Sequence, residues 1–336
     1  MKKAFLCFLV AVILSITPAY ACSSFAIYSD QPIYGMNFDY YNTEISLCIA
    51  EEKGQDIFAL VFREGGLSIP SVLMNESGLF ITLQVQYPSQ EEKSKRNADE
   101  LFIDELIMYI TEPKVDEVLG EIRNKRLVHR SNYTLHAMLA DREGDAAIIE
   151  VGTDGNELLP LADDFIVMTN FKNSDFRDVP WDETSGTGAD RYRAAYKYLG
   201  QSRETFSVDN AFECLQKTAQ AITLCSMVFE PKEDFIYLAL NGDFEKLWKI
   251  SLKEKSIETY RGFEENIKLH FPEGTEGILA SDLAQGNFSN FLRDDQETSQ
   301  KGIWVYLLFS ALGAALIAGL FFLLRYVIKM RGYKHV

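Results

Sequence analysis

The chain has 336 residues, 47% of them hydrophobic and 12% aromatic, which is too apolar for a disordered polypeptide. Its 49 acidic against 33 basic side chains leave a formal charge of −16, against the basic face that a nucleic-acid partner requires. Five cysteines without a CxxC pair argue against both a small disulfide scaffold and a cysteine-based zinc site.

Residues 1–21 have the layout of a secretory signal. Lys2 and Lys3 are followed by an uncharged apolar run over 4–16 and by the small-x-small site Ala19-Tyr20-Ala21. That run of roughly 13 residues falls short of the ~20 that span a bilayer. Cleavage is expected after Ala21.

Beyond it, short alternating segments over 24–28, 57–62, 78–87, 133–140, 146–151 and 165–169 predict strands. Asp141-Arg-Glu-Gly144-Asp145 reads as a hairpin turn, and Asn241-Gly242-Asp243 as another, between strands over 235–240 and 247–251. Helical patterns cover 100–110, 115–123, 190–199 and 208–221. Strands, two helices, strands, two helices, strands predict a layered α+β domain over 22–265.

Residues 266–302, with Pro272, several glycines and mixed charge, read as a stalk. The segment 303–324 carries no charge and is long enough for one transmembrane helix. Arg325, Lys329, Arg331 and Lys334 follow it, which predicts a cytoplasmic tail over 325–336 and an exported body in the cell membrane's outer space. Ala311, Ala315 and Gly319 recur every four positions, a spacing that fits a homo-oligomeric helix contact. With the +2 of the signal and the +4 of the tail set aside, the formal −16 becomes −22 for residues 22–302. Such a surface favours solubility.

Cleavage after Ala21 would give Cys22 a free α-amine beside its thiol. Their reference pKa values are about 7.7–8.0 and about 8.5, so the amine can act as the thiol's own base. No separate histidine is then needed. His129, His136 and His270 are isolated, and His136 falls in a predicted strand, where a structural role is the ordinary one. Two other fates of Cys22 stay open on position alone: lipidation, although Tyr20 is unusual there, and a disulfide with Cys48, Cys214 or Cys225.

The segment Cys22-Ser-Ser-Phe-Ala-Ile…Tyr34-Gly-Met-Asn-Phe-Asp39-Tyr resembles the start of the N-terminal nucleophile amidohydrolases related to choloylglycine hydrolase and penicillin V acylase. In that family a Cys, a strand and a Gly-x-Asn-x-Asp turn open the mature chain. Further resemblances follow in order: Asn75-Glu-Ser-Gly78-Leu, Leu139-Ala-Asp-Arg-Glu-Gly144-Asp, Met168-Thr-Asn170, Asp190-Arg-Tyr-Arg-Ala194 and Val228-Phe-Glu-Pro231. They span about residues 22–250 and leave the stalk, membrane helix and tail uncovered.

The resemblance implies a four-layer αββα sandwich and a hydrolase of linear, non-peptide C–N amide bonds, with a small N-acyl amide as substrate and no metal or cofactor. It implies Cys22 as nucleophile, Asp39 as the residue holding its amine or thiol, Asn170 as oxyanion donor and Arg191 as a nearby positive charge. Gln86, or Gln84, stands where the family has a further Asn; strand alternation puts Thr82, Gln84 and Gln86 on one face. Met36 replaces the family's common Arg, which would raise the thiol pKa or shift that task to Arg191. Met36 with Phe38, Tyr40 and Tyr41 suggests an apolar mouth for an acyl group. Acyl transfer to an amine, or a catalytically inactive membrane-anchored binding protein, are the alternatives to hydrolysis.

Overall fold

In the computed structural model the described residues are 22–288, apart from residues 132, 203, 273, 275 and 276. The expected signal, membrane helix and basic tail lie outside them. Among the described residues no helix is long and apolar enough to cross a membrane.

The chain opens with β1 (Ser23–Tyr28), β2 (Pro32–Asp39), β3 (Ile45–Glu52), β4 (Gln55–Glu64), β5 (Leu67–Asn75) and β6 (Phe80–Val85). Short β7 (Glu92–Lys93) and β8 (Glu100–Phe102), a 3-10 segment Ile103–Tyr109 and helix α1 (Val115–Ile122) lead to β9 (Arg126–Arg130). Next come β10 (Leu135–Ala140), β11 (Ala146–Val151), β12 (Asn156–Pro160) and β13 (Phe165–Met168). Helices α2 (Ala189–Ser202) and α3 (Val208–Thr218) precede β14 (Thr223–Glu230), β15 (Phe235–Leu240), β16 (Leu247–Ser251), β17 (Ser256–Arg261) and β18 (Lys268–His270). Strand β19 (Ile278–Leu279) and helix α4 (Ala280–Gln285) complete the described fold.

Two eight-stranded sheets stack face to face. One has the order β13-β1-β2-β14-β15-β16-β17-β18 and the other β12-β11-β10-β6-β5-β4-β3-β19. Their inner faces share one apolar cluster, in which Tyr34 and Phe229 pack on Phe80 with ring centroids 5.3 and 4.9 Å apart. A second cluster joins the outer face of the β6 sheet to Ile103–Tyr109 and α1, and a third joins the outer face of the β1 sheet to α2 and α3. The result is helix, sheet, sheet, helix, because strands covered on both faces bury every side chain. In β1, Ala26 points to the inner cluster while Phe25 and Ile27 point to the helices. Helix α3 starts on a Ser207 cap whose Oγ accepts from Asn210 N.

Several expectations need correction. The helix expected over 100–110 is a strand, Glu100–Phe102, followed by the 3-10 segment. The Gly-x-Asn-x-Asp "turn" is β2 itself, wholly buried; Gly35 is required there because a Cβ would come within 2.3 Å of the Phe25 ring. Strands β2, β3 and β5 escape an alternation reading because both of their faces are covered over much of their length. Residues 266–302 do not begin as a stalk: β18 extends the first sheet, and β19 pairs with β3 in the second. The packed body therefore continues at least to Gln285. The hairpins hold as expected, with Gly144 at φ +119, and Asn241 and Gly242 at φ +53 and +74.

Candidate active site

Sequence-distant groups converge at the open end of β1 and β2. Cys22 immediately precedes β1 and is nearly buried, its thiol donating to the Asp39 carbonyl at 3.8 Å. Asp39 ends β2 and is fully buried. Its Oδ1 accepts from the Thr223 hydroxyl, while its Oδ2 has no hydrogen-bond partner. A carboxylate oxygen buried without a donor is costly unless something charged meets it.

Arg191 is not a solvated surface residue. It lies on the buried face of α2 with Ala195 and Leu199, four and eight positions on, and is 4% exposed. Its Nη1 donates to the Cys22 carbonyl and to Ser23 Oγ, both at 2.6 Å; its Nη2 donates to Asn170 Oδ1 at 2.7 Å. Asn170, just after β13, donates from Nδ2 to the Val85 carbonyl at 2.6 Å. Its second Nδ2 hydrogen remains to be given, and a guanidinium on Oδ1 polarises the amide into a better donor.

Gln86 follows β6, whose inward side chains meet β1 and β2. Phe80 packs on Tyr34, Thr82 Oγ1 donates to Met36 Sδ at 3.7 Å, and Gln84 Nε2 donates to Ser24 Oγ at 2.7 Å and to Met36 Sδ at 3.4 Å. The residues on either side of Gln86 are bonded to Asn170, which Arg191 joins to Cys22: the Val85 carbonyl accepts from Asn170 Nδ2 and the Tyr87 N–H donates to the Asn170 carbonyl. Gln86 is fully buried, and neither atom of its side-chain amide has a partner. Gln84 lies one step deeper, with only its Oε1 unpartnered.

Burial first, and then the Asp39 charge, push the Cys22 thiol up to about 12; the Asp39 backbone contact and Arg191 pull the other way. Burial likewise pushes the Asp39 carboxyl up to about 7, against the Thr223 hydroxyl and the Arg191 charge. These values belong to a chain in which the Cys22 nitrogen is an amide joined to Ala21. A primary ammonium at that nitrogen would answer the orphaned Asp39 oxygen and favour the thiolate.

The site thus brings together Cys22, Asp39, Gln86, Asn170 and Arg191, with Gln84 beside them. Met36 is buried between the sheets and adds no charge, so Arg191 supplies the positive charge near the thiol. Phe38, Tyr40 and Phe62 form an aromatic group on the β2 side, with Phe38 and Tyr40 stacked at 5.9 Å; Tyr41 is exposed. The Cys48, Cys214 and Cys225 thiols are buried, Cys214 and Cys225 sit in different cores, and Cys22 is in no disulfide among the described residues. Sequence reasoning missed Thr223 and Ser23. Thr223 begins a strand of which the sequence marked only the far end, Val228-Phe-Glu-Pro231, and it meets Asp39 only through pairing with β2.

Many solved structures are similar to this chain, among them these three. Two are variants of conjugated bile acid hydrolase from Clostridium perfringens, each 14% identical. The first has a TM-score of 0.51 and the match covers 71% of this chain and 97% of that one; for the second the values are 0.50, 71% and 96%. The third is penicillin V acylase from Agrobacterium tumefaciens, 15% identical with a TM-score of 0.52, covering 71% of this chain and 90% of that one. At these identities the likeness is one of fold, two stacked sheets between helical layers. No family model matches the chain, and no curated protein matches it.

Proposed function

We propose that this chain is an exported, membrane-tethered amidohydrolase that cleaves a linear, non-peptide amide of an N-acyl substrate through a thioester on Cys22. The observation that carries the reading is the buried, unpartnered Asp39 Oδ2 beside the Cys22 thiol, a place suited to the ammonium that signal cleavage would create. The signal over 1–21 and the helix over 303–324 supply export and tether, with the tail over 325–336 cytoplasmic. The fold shared with an acylase and a conjugate hydrolase supports the same class of reaction.

In this reading the α-amine takes the thiol proton and sulfur attacks the amide carbonyl. The oxyanion is received by Asn170 Nδ2 and Gln86 Nε2, donors held in place before charge develops. The protonated amine then gives its proton to the departing nitrogen, leaving an acyl-thioester. The same amine next takes a proton from water; hydroxide attacks the thioester, and the acid leaves as the thiol recovers its hydrogen. Arg191 fixes the Cys22 carbonyl and the Asn170 amide together, and Asp39 orients the ammonium. Phe38, Tyr40 and Phe62 would receive the apolar acyl group.

The test is the protein beginning at Cys22 assayed on N-acyl amides beside Cys22→Ser, with the mass and first residue of the secreted protein measured. Hydrolysis lost in the variant supports the reading. A mature chain that begins elsewhere, or carries a blocked nitrogen, ends it.

A further inference from the structure

The two oxygens of the Asp39 carboxylate are not equivalent, and one hydroxyl makes the difference. Thr223 is the first residue of β14 and is buried. Its Oγ1 accepts from Gln220 N at 2.8 Å, while its own N–H donates to the Gln220 carbonyl at 3.0 Å. A backbone N–H can only donate, so the hydroxyl faces Gln220 with a lone pair. Its single hydrogen is given to Asp39 Oδ1. Asp39 Oδ2 is left without a hydrogen-bond partner on a fully buried side chain.

Strand register brings that hydroxyl there. Phe38 pairs with Cys225, and both belong to the core between the sheets. A regular antiparallel ladder would next set Leu224 across from Asp39. A bulge passes over Leu224, and the partner of Asp39 is Thr223 instead. A leucine in that place would offer the carboxylate no hydrogen and leave both oxygens bare in a buried site. Bonds on either side of Asp39 hold the arrangement. Tyr40 N donates to the Ile222 carbonyl at 3.1 Å. Asn37 Nδ2 donates to the Leu215 carbonyl at 2.8 Å and to Thr218 Oγ1 at 3.0 Å, at the end of α3, and its Oδ1 accepts from Ser226 Oγ at 2.7 Å. The turn that carries Gln220 and Thr223 is thereby tied to β2 both before and after the carboxylate.

We propose that Thr223 is a positioning residue for the reaction: its hydroxyl, held by Gln220, fixes the Asp39 carboxylate so that Oδ2 remains to hold and orient the Cys22 α-amine. The inference rests on the amidohydrolase reading and adds a residue that acts only through Asp39. The amine must turn its lone pair to the thiol while its hydrogens point to the carboxylate, and a carboxylate free to rotate would hold that geometry less well. The hydroxyl and the Arg191 charge also pull the Asp39 carboxyl down against its burial. The titratable and charged groups that act on Asp39 are Cys22 at the head of β1 and Arg191 on α2; from β14 and the end of α3 it meets Thr223 backed by Gln220, both uncharged. Loss of the hydroxyl therefore raises the pH at which Asp39 gives up its proton, and the acid side of the activity profile moves up with it.

The test compares the protein beginning at Cys22 with its Thr223→Val variant, which keeps the shape without the hydroxyl, and its Thr223→Ser variant, which keeps the hydroxyl. Values of kcat and KM for an N-acyl amide are measured across the acid and neutral range, with thermal unfolding alongside. In Thr223→Val kcat should fall by about 10-fold or more with KM within about 2-fold, and the acid limb of kcat should move to higher pH. Thr223→Ser should return kcat to within about 3-fold of the unaltered protein and bring the acid limb back. On an Asp39→Asn background, Thr223→Val should cost no more than about 2-fold further, because its route to the reaction is gone. Should Thr223→Val fail to fold, Thr223→Ala is read against Thr223→Ser in the same way. An unmoved acid limb, a full further loss on Asp39→Asn, or a folded Thr223→Ser as slow as the variants without a hydroxyl overturns this proposal and leaves the amidohydrolase standing. No hydrolysis by the unaltered protein overturns the amidohydrolase reading and this proposal with it.

Discussion

The reactivity of Cys22 before and after removal of residues 1–21 is the most direct consequence of the site. While the Cys22 nitrogen is an amide, its thiol is pushed up to about 12 by burial and the Asp39 charge. At pH 7.5 the thiolate fraction is then on the order of 10⁻⁴ to 10⁻⁵, against about a tenth for an ordinary thiol, so alkylation should be at least about 10³-fold slower than for free cysteine. Freeing the nitrogen places an ammonium beside both the sulfur and the open Asp39 oxygen, and the rate should rise at least about tenfold. Iodoacetamide labelling over pH 6–10, followed at Cys22 by peptide mass, measures both forms; Cys48, Cys214 and Cys225 are buried internal controls. Asp39→Asn should act with opposite signs in the two. It removes a charge that raises the thiol in the uncleaved chain and speeds labelling there, yet it removes the ammonium's partner in the processed chain and slows amide hydrolysis. Equal labelling rates in the uncleaved and processed chains, or an uncleaved chain as reactive as free cysteine, would refute the reasoning.

Other consequences follow from the same contacts. Arg191→Met removes three hydrogen bonds from a charged donor and leaves the Cys22 carbonyl and Asn170 Oδ1 buried; kcat/KM should fall by about 10² or more, and thermal unfolding should move down with a loss of about 2–4 kcal/mol. Arg191→Lys should recover little of either, since one ammonium cannot bridge both sites. Gln86→Leu should cost about 10²-fold in kcat without loss of stability, because the amide it removes has no partner in the fold; a matching drop in unfolding free energy would contradict that. In the chain retaining residues 1–21, Asp39 titrates near 7 folded and near 3.9 unfolded. Its contribution is therefore most favourable below about pH 4 and is lost as pH rises through 7, by a few kcal/mol, and Asp39→Asn should flatten that slope in chemical denaturation.

Much of this site was legible in the chain. The hairpin at Asp141–Asp145, whose Asp141 Oδ1 accepts from the backbone N–H of Glu143, Gly144 and Asp145, follows from local turn chemistry. Residue order from Cys22 to Arg191 pointed to the constellation, and the alternation of Thr82, Gln84 and Gln86 put them on one face. The reading faltered at β2 and at residues 266–288. In β2 both faces are covered, so Gly35, Asn37 and Asp39 interrupt the apolar pattern without breaking the strand; Asn37 turns outward to donate to the Leu215 carbonyl and Thr218 Oγ1. In 266–288 the strands are too short to show a period, and only their partners β17 and β3 make them strands.

The sequence by itself determined the chemistry on offer: a thiol at Cys22, and carboxylate, amide and guanidinium side chains in an order that resembles that of a known family. It also determined which residues bend the chain, because turn conformation depends on a few adjacent side chains. Tertiary structure alone decided which of those groups meet. Arg191 became buried instead of solvated, the Asp39 oxygen was left open, and His136 was set beside Gln84 and Glu150. Each depends on strands distant in sequence pairing in register, and register between distant segments is settled by packing both faces of two sheets at once.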